Sequence, residues 1–109
     1  MVAPRPFRFG AQVAYAPSGP AWSETARRVE SAGYATLFMP DNLDDQFAPV
    51  PALAAAAAAT TTLRIGSLVL GNDYRHPVVV AKEAATLDVL SEGRLELGMG
   101  AGWQRKDYE

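Results

Sequence analysis

The amino-acid sequence predicts an α/β fold in which strands and helices alternate as βαβαβαβ and the strands form a parallel sheet. Three observations lead to this prediction: four short apolar segments alternate with three helical patterns, prolines stand near the helix starts, and the spacing is short and regular. Strands that are joined through helices pair in parallel by right-handed crossovers. The sequence contains neither an internal repeat nor a linker, so we expect residues 1–109 to belong to a single domain.

The first strand, first helix and second strand follow from the spacing of apolar residues. Residues 7–14 alternate in the manner of a strand, and the prolines at 17 and 20 end that pattern. Pro20 fits the first turn of a helix, where its missing N–H has no partner to lose. We expect Gly33 to stop this helix and residues 36–39 to form a short, continuously apolar strand. The buried stripe of the helix is expected at Trp22, Ala26, Val29 and Ala32.

Proline also opens the second helix, which is rich in alanine. This helix begins at Pro49 and runs through six alanines at residues 54–59. Alanine has the highest helix propensity and a small side chain, so the run favours close packing of this helix against the sheet. Three threonines at residues 60–62 end the helix, because consecutive β-branched residues favour extended backbone. Residues 63–70 then form the third strand.

The third helix begins at Pro77 and stops at Gly93, and residues 94–99 form the fourth strand. The buried stripe of the third helix is expected at Val80, Ala84, Leu87 and Leu90. His76 is the only histidine in the sequence, and it is most simply the residue that starts this helix ahead of the proline. Arg75 beside it is expected either to reach a cofactor phosphate or to face water.

The composition excludes several classes of function. The net charge of -2 provides no basic field for nucleic acid or an anionic lipid surface. No apolar stretch approaches the ~20 residues that span a bilayer, and the first six residues lack the apolar core of a signal peptide. The sequence has no cysteine and therefore offers no thiolate metal site. We expect a cytoplasmic protein without a metal, a membrane or a nucleic acid as partner.

Three glycines, at 98, 100 and 102, stand at alternate positions at the end of the fourth strand. A dinucleotide-binding fingerprint needs G-x-G-x-x-G after the first strand, whereas here Trp103 occupies the place of the third glycine. The glycines are therefore expected to mark the carboxyl end of a strand where a ligand or a neighbouring strand comes close. In parallel α/β folds, ligands bind at that end of the strands.

Four segments together resemble the amino-terminal part of the luciferase-like oxidoreductases. They are FRFGAQV, ARRVESAGYATLFMPDN, LRIGSLVLGNDY and LSEGRLELGMGAGW, one at each predicted strand. Within this family the chain is most similar to the branch that uses the deazaflavin coenzyme F420. The resemblance implies a TIM-type (β/α)8 barrel, a fold that runs to about 250 residues. Residues 1–109 would supply the first four strands of that barrel, so the domain is expected to be incomplete in this chain.

The same resemblance implies a set of cofactor-binding residues. Asp41 corresponds to an acidic residue beside the deazaflavin ring, although a solvated loop is an equally open interpretation of it. Asn42 stands where many relatives have histidine, and an amide cannot shuttle a proton. The third strand would carry a bulge with a cis peptide bond between Leu68 and Val69 behind the ring. At the far edge of the ring the resemblance places Gly100, Ala101, Gly102 and Trp103, with the tryptophan either lining the pocket or capping the barrel mouth.

The function that the resemblance implies is hydride transfer between F420 and a small organic substrate, with no catalytic residue assigned. An FMN-dependent monooxygenase on the same barrel and a non-catalytic half-barrel that serves assembly are the alternatives. We expect a homo-oligomer, most simply a dimer, or association with the missing half of the barrel. The reason is that the first and fourth strands leave unpaired edges and that a sheet face including Leu68 is uncovered.

Overall fold

A computed structural model describes residues 6–101, which form three helices and six short strands. The elements are β1 (Gly10–Gln12), α1 (Gly19–Ser31), β2 (Thr36–Met39), α2 (Pro49–Ala59), β3 (Arg64–Ser67), β4 (Leu70–Gly71), α3 (Pro77–Leu90), β5 (Leu95–Glu96) and β6 (Met99–Gly100). The predicted helix starts at Pro49 and Pro77 are confirmed. Within the described part of the chain, none of the helices is long and apolar enough to cross a membrane.

The strands pair in parallel in the order β1-β2-β3-β5, and β4 pairs in parallel with β6 beside them. This pairing confirms the predicted βαβ arrangement. Two predicted strands are not continuous, however, because the third is divided between β3 and β4 and the fourth between β5 and β6. Residues 68–69 and 97–98 form the two breaks. The first strand is also shorter than predicted, since its partner β2 has only four residues.

Local signals set the ends of the helices. The Ser18 hydroxyl accepts a hydrogen bond of 3.2 Å from a backbone N–H in the first turn of α1. Nδ1 of His76 accepts a hydrogen bond of 3.1 Å from the N–H of Val78, which confirms that His76 starts α3. Gly33 and Gly93 follow α1 and α3 with φ angles of +92° and +80°, and this left-handed backbone stops a helix without a steric cost at glycine.

The hydrophobic core lies between the helices and one face of the sheet. From the sheet, Leu37, Met39 and Ile65 are completely buried in it. The helices contribute Trp22, Ala26, Val29, Ala52, Leu53, Ala56, Ala57 and Leu87. The small alanines let α2 pack closely, and Nε1 of Trp22 in α1 donates a hydrogen bond of 2.8 Å to the Ala52 carbonyl. The alanine run is therefore a packing surface, as predicted.

Three residues of the predicted helix stripes are not buried, and one of them, Ala84 in α3, is partly exposed. Ala32 is the exposed C-cap of α1, because the helix ends one residue earlier. Leu90 is 69% exposed at the end of α3.

Two charged side chains fasten the loop that leads from α2 to β3. Oε2 of Glu30 accepts hydrogen bonds of 2.8–2.9 Å from the backbone N–H groups of residues 61–63. Burial raises the pKa of this carboxyl, but the N–H donors outweigh burial and lower the pKa of Glu30 below its usual value. Arg94 donates hydrogen bonds of 2.9 Å to the carbonyls of Ala57 and Leu63, which ties the end of α2 to the start of β3.

Candidate functional site

A non-prolyl cis peptide bond joins Leu68 to Val69 between β3 and β4, as the family resemblance predicted. The side chains of both residues are exposed, and Leu68 presents 51% of its surface to solvent. Leu97 and Met99, on the neighbouring segment of chain, are exposed as well. Leu97 lines a cavity with Val80 and Leu87 of α3, whereas Val69 packs against Gly98 and Gly100, so we call only Leu68 and Val69 the apolar ledge. The ledge follows the carboxyl end of β3, and parallel α/β folds bind ligands at that end of their strands.

Gly98 and Gly100 make room for the neighbouring strand at this bulge. A Cβ atom at Gly100 would lie 2.5 Å from Cγ2 of Val69, and one at Gly98 would overlap the carbonyl oxygen of Ser67. The Ser67 hydroxyl also donates to the Gly98 carbonyl at 2.8 Å and accepts from the Gly98 N–H at 3.0 Å. Of the two interpretations of the glycines, close approach of a neighbouring strand is therefore confirmed for Gly98 and Gly100.

Asp41 is buried at the end of β2, and only 2% of its side chain is exposed. Arg75 donates from Nη1 to Oδ2 and from Nη2 to Oδ1, the second bond being 3.0 Å long. The N–H of Gly71 donates to Oδ2 at 2.8 Å. We call these three residues the Asp41 clasp. The interpretation of Asp41 as part of a solvated loop is wrong, because the fold brings an arginine and a strand end onto its carboxylate.

The guanidinium of Arg75 pairs with Asp41, a contact that neither sequence-based expectation included, and 21% of its side chain is exposed. The hydrogen bonds to Asp41 raise the pKa of Arg75, although burial acts in the opposite direction. The guanidinium therefore stays positively charged at neutral pH. No local pattern in the sequence indicates this pair, whose members are 34 residues apart. The one available clue is that each residue follows a strand in consecutive βα units.

Asn42 lies half-buried beside the clasp, in a loop that Gln46 holds in place. Oε1 of Gln46 accepts a hydrogen bond of 3.0 Å from the Asn42 N–H, and its Nε2 donates at 2.8 Å to the carbonyls of Pro40 and Phe47. A cavity of about 200 Å³ is lined by Asp41, Asn42, Leu43, Asp44, Gln46, Ala48, Pro49 and Arg75. Ligand pockets are typically about 300–1,000 Å³, so this cavity has room for only part of a ligand.

The remaining residues of the predicted site lie at the end of the described chain. Gly100 is the last residue of β6, and Ala101 follows it with an exposed side chain. Gly102 and Trp103 lie outside the described residues. The structure thus brings Leu68, Val69 and Gly100 together at the ledge. Asp41 is linked to the end of β4 by the hydrogen bond that its carboxylate accepts from the Gly71 N–H, and Asn42 lines a cavity together with Asp41.

The sequence profile of the family described as luciferase-like monooxygenase matches residues 5–109. The chain belongs to this family. A relative named F420-dependent glucose-6-phosphate dehydrogenase, from Beutenbergia cavernae, is 41% identical over 81 residues, which are 67% of this chain and 24% of that protein. A protein of the same name from Nakamurella multipartita is 35% identical over 108 residues, 91% of this chain and 32% of that one.

Solved structures of luciferase-like enzymes share the fold. The coenzyme F420 dependent tetrahydromethanopterin reductase from Methanopyrus kandleri matches with a TM-score of 0.80 and 26% identity, over 88% of this chain and 27% of that one. The oxygenating constituent of 3,6-diketocamphane monooxygenase from Pseudomonas putida, in complex with FMN, matches with a TM-score of 0.78 and 21% identity, over 91% of this chain and 30% of that one. The structural neighbours are TIM barrels, which confirms the fold class. This luciferase-like chain spans only about a quarter to a third of the length of these relatives.

Proposed function

We propose that the protein containing this chain is an F420-dependent oxidoreductase that transfers a hydride between the deazaflavin and a small organic substrate. The observation that carries the proposal is the similarity to two proteins named F420-dependent dehydrogenases, at 41% and 35% identity. The Methanopyrus reductase, also F420 dependent, supports it at 26% identity. A bound deazaflavin supplies two-electron hydride chemistry, and the protein supplies binding, orientation and electrostatics.

The apolar ledge fits the flat, largely apolar face of such a ring system. Leu68 and Val69 offer exposed apolar surface, and the N–H of Leu68 anchors the bulge through a hydrogen bond of 2.8 Å to the Met39 carbonyl. Covering this surface removes apolar area from water, which is worth about 25 cal/mol per Å². In this proposal the residues that hold the ring are Leu68, Val69, Gly100, Ala101, Gly102 and Trp103.

The polar residues beside the ledge have different parts in the proposal. Both carboxylate oxygens of Asp41 already accept hydrogen bonds within the clasp, so we assign Asp41 to holding the end of β4 beside the ring. Asn42 donates and accepts hydrogen bonds but takes up no proton at neutral pH. We therefore assign Asn42 to orienting the cofactor or the substrate and not to acid catalysis.

Cofactor titration of the full-length protein tests this function. The expected result is saturable binding of F420, followed by fluorescence, and reduction or oxidation of the bound deazaflavin when the substrate is supplied. Leu68→Asp should weaken F420 binding because it places a charge on the ledge, whereas Leu90→Asp is a matched control at an exposed leucine on α3. Failure of the wild-type protein to bind F420, or equal loss of affinity in the two variants, would contradict the proposal.

An FMN-dependent monooxygenase is the second candidate, and one relative favours the monooxygenase activity. The 4-hydroxyprotoasukamycin monooxygenase of Streptomyces nodosus is 39% identical over 72 residues, 66% of this chain and 17% of that protein. Titration with FMN and measurement of oxygen consumption separate the two candidates. Preferential binding of FMN together with substrate-dependent oxygen uptake would replace the first proposal with the second.

A further inference from the structure

The Asp41 clasp joins three segments that are separate in the sequence. Asp41 follows β2 by two residues, Gly71 ends β4, and Arg75 lies two residues ahead of α3. The carboxylate is almost completely buried, and 21% of the arginine side chain is exposed. A buried carboxylate of this kind depends on its partner, because removal of one member leaves an uncompensated charge in the protein interior.

Apart from the clasp, the segment is held by one buried side chain, Leu70, and by a short strand pairing. β4 has two residues and pairs within the described chain only with β6, which also has two. The backbone bonds that flank this pairing are 2.8 Å long and run from Leu70 and Asn72 to the carbonyls of Gly98 and Gly100. Two residues of ladder are too short to fix a strand by themselves. The bond from Gly71 to the clasp carboxylate therefore contributes to the position of β4.

The position of β4 determines the position of the ledge. Val69 lies one residue before β4, and its side chain packs where Cβ atoms at Gly98 and Gly100 would otherwise stand. A shift of β4 would move this valine and the exposed Leu68 with it. The ledge thus depends on the clasp through a short, continuous stretch of backbone.

We propose that Arg75 is a positioning residue of the cofactor site: it holds the Asp41 carboxylate, and through it β4, so that Leu68 and Val69 present a fixed surface to the ring. This inference rests on the proposed function in one respect only, that the ledge receives a cofactor. The planar fork of the arginine serves both carboxylate oxygens at once, and a lysine in its place would supply a single point of charge. Arg75→Lys should therefore keep part of the cofactor affinity that depends on Arg75.

The test compares Arg75→Met and Arg75→Lys with Arg94→Met in the full-length protein. Arg94 is a matched control because it also makes several hydrogen bonds, but it makes them at the amino ends of the strands, far from the ledge. Three quantities are measured: the melting temperature, the dissociation constant for F420 or FMN at temperatures where each variant is folded, and the hydrogen-exchange rate of the Gly71 amide without cofactor.

We expect Arg75→Met to raise the cofactor dissociation constant about tenfold or more, the scale expected when a hydrogen bond to a charged partner is lost. It should also speed exchange of the Gly71 amide, with Arg75→Lys between it and the wild type. Arg94→Met should lower the melting temperature while leaving the affinity of the folded protein unchanged. If Arg75→Met does not fold, Arg75→Lys is compared with the wild type instead. Weaker cofactor binding together with faster exchange of the Gly71 amide in Arg75→Lys then supports the inference.

Two results would overturn the inference. One is an unchanged dissociation constant in the folded Arg75 variants, and the other is an equal loss of affinity in Arg94→Met. Failure of the wild-type protein to bind either cofactor would instead refute the proposed function. The exchange measurement needs no cofactor, so in that case an unaltered rate at Gly71 in Arg75→Met would separately refute the link between Arg75 and β4.

Discussion

Glu30 provides a direct test of how the loop between α2 and β3 is held. One carboxylate oxygen accepts hydrogen bonds from three successive backbone N–H groups, at residues 61–63, and a further bond of 3.3 Å from the Thr62 hydroxyl. Glu30→Gln keeps the length of the side chain and an acceptor oxygen but removes the charge. Hydrogen bonds to charged groups contribute about 1.5–3 kcal/mol and neutral ones about 0.5–1.5 kcal/mol. Because three donors share one partly exposed oxygen, we expect a loss of about 1–2 kcal/mol in the free energy of unfolding.

The size of this loss should depend on pH in a defined direction. The pKa of Glu30 is lower in the folded chain than its ordinary value of 4.5, since the backbone donors favour the charged form. The charge therefore stabilises the fold fully at pH values above the unfolded pKa, and the contribution disappears as the pH falls through the folded pKa. The free energies of unfolding of wild type and Glu30→Gln should converge as the pH is lowered from about 7 to about 3.

Urea denaturation at a series of pH values measures this difference, with Glu24→Gln as the control on the same helix. Glu24 is exposed and pairs with Arg27 and Arg28 at 3.8 and 3.6 Å, so its substitution should cost no more than about 0.5 kcal/mol. A charge on Glu30 does not stabilise the loop if Glu30→Gln costs as little as the control, or if its cost is the same at neutral and acidic pH.

Three further predictions concern the glycines, the ledge and the polar loop. Gly98→Ala should lower the free energy of unfolding by about 1–3 kcal/mol, because the new Cβ would overlap the Ser67 carbonyl. Gly19→Ala is the control: its Cβ would meet no atom within 4 Å, so the free energy of unfolding should change by less than about 1 kcal/mol. Urea denaturation compares the two variants. The 109-residue chain expressed alone should self-associate through its uncovered sheet face, and Leu68→Asp should weaken the association measured by light scattering; a monodisperse wild-type monomer would contradict this. Asn42→His in the full-length protein should introduce a titration near pH 6.5 into the pH–rate profile of hydride transfer, and an unchanged profile would remove residue 42 from the reacting groups.

Local patterns in the sequence determined the helices and their ends. The prolines at 49 and 77, and the glycines at 33 and 93, act through backbone conformation within a few residues, so their effects could be predicted from the chain alone. The period of apolar residues likewise predicted the parallel strands and most of the core, because burial of one helix face follows directly from spacing. The cis bond at residues 68–69 came from the family resemblance, since neither spacing nor composition distinguishes it from a regular strand.

The tertiary structure alone decided which side chains meet. Asp41 with Arg75, Glu30 with residues 61–63, and Ser67 with Gly98 are separated by 31 to 34 residues along the chain. Each contact spans consecutive βα units, and it depends on the register of the strands and on the length of the loops between them. The residues around Asp41 form a polar loop and do not predict that this aspartate is buried against an arginine. Hydrogen bonds between distant segments form only when packing of the apolar core has fixed those segments against each other, and for that reason the clasp became visible only in the folded chain.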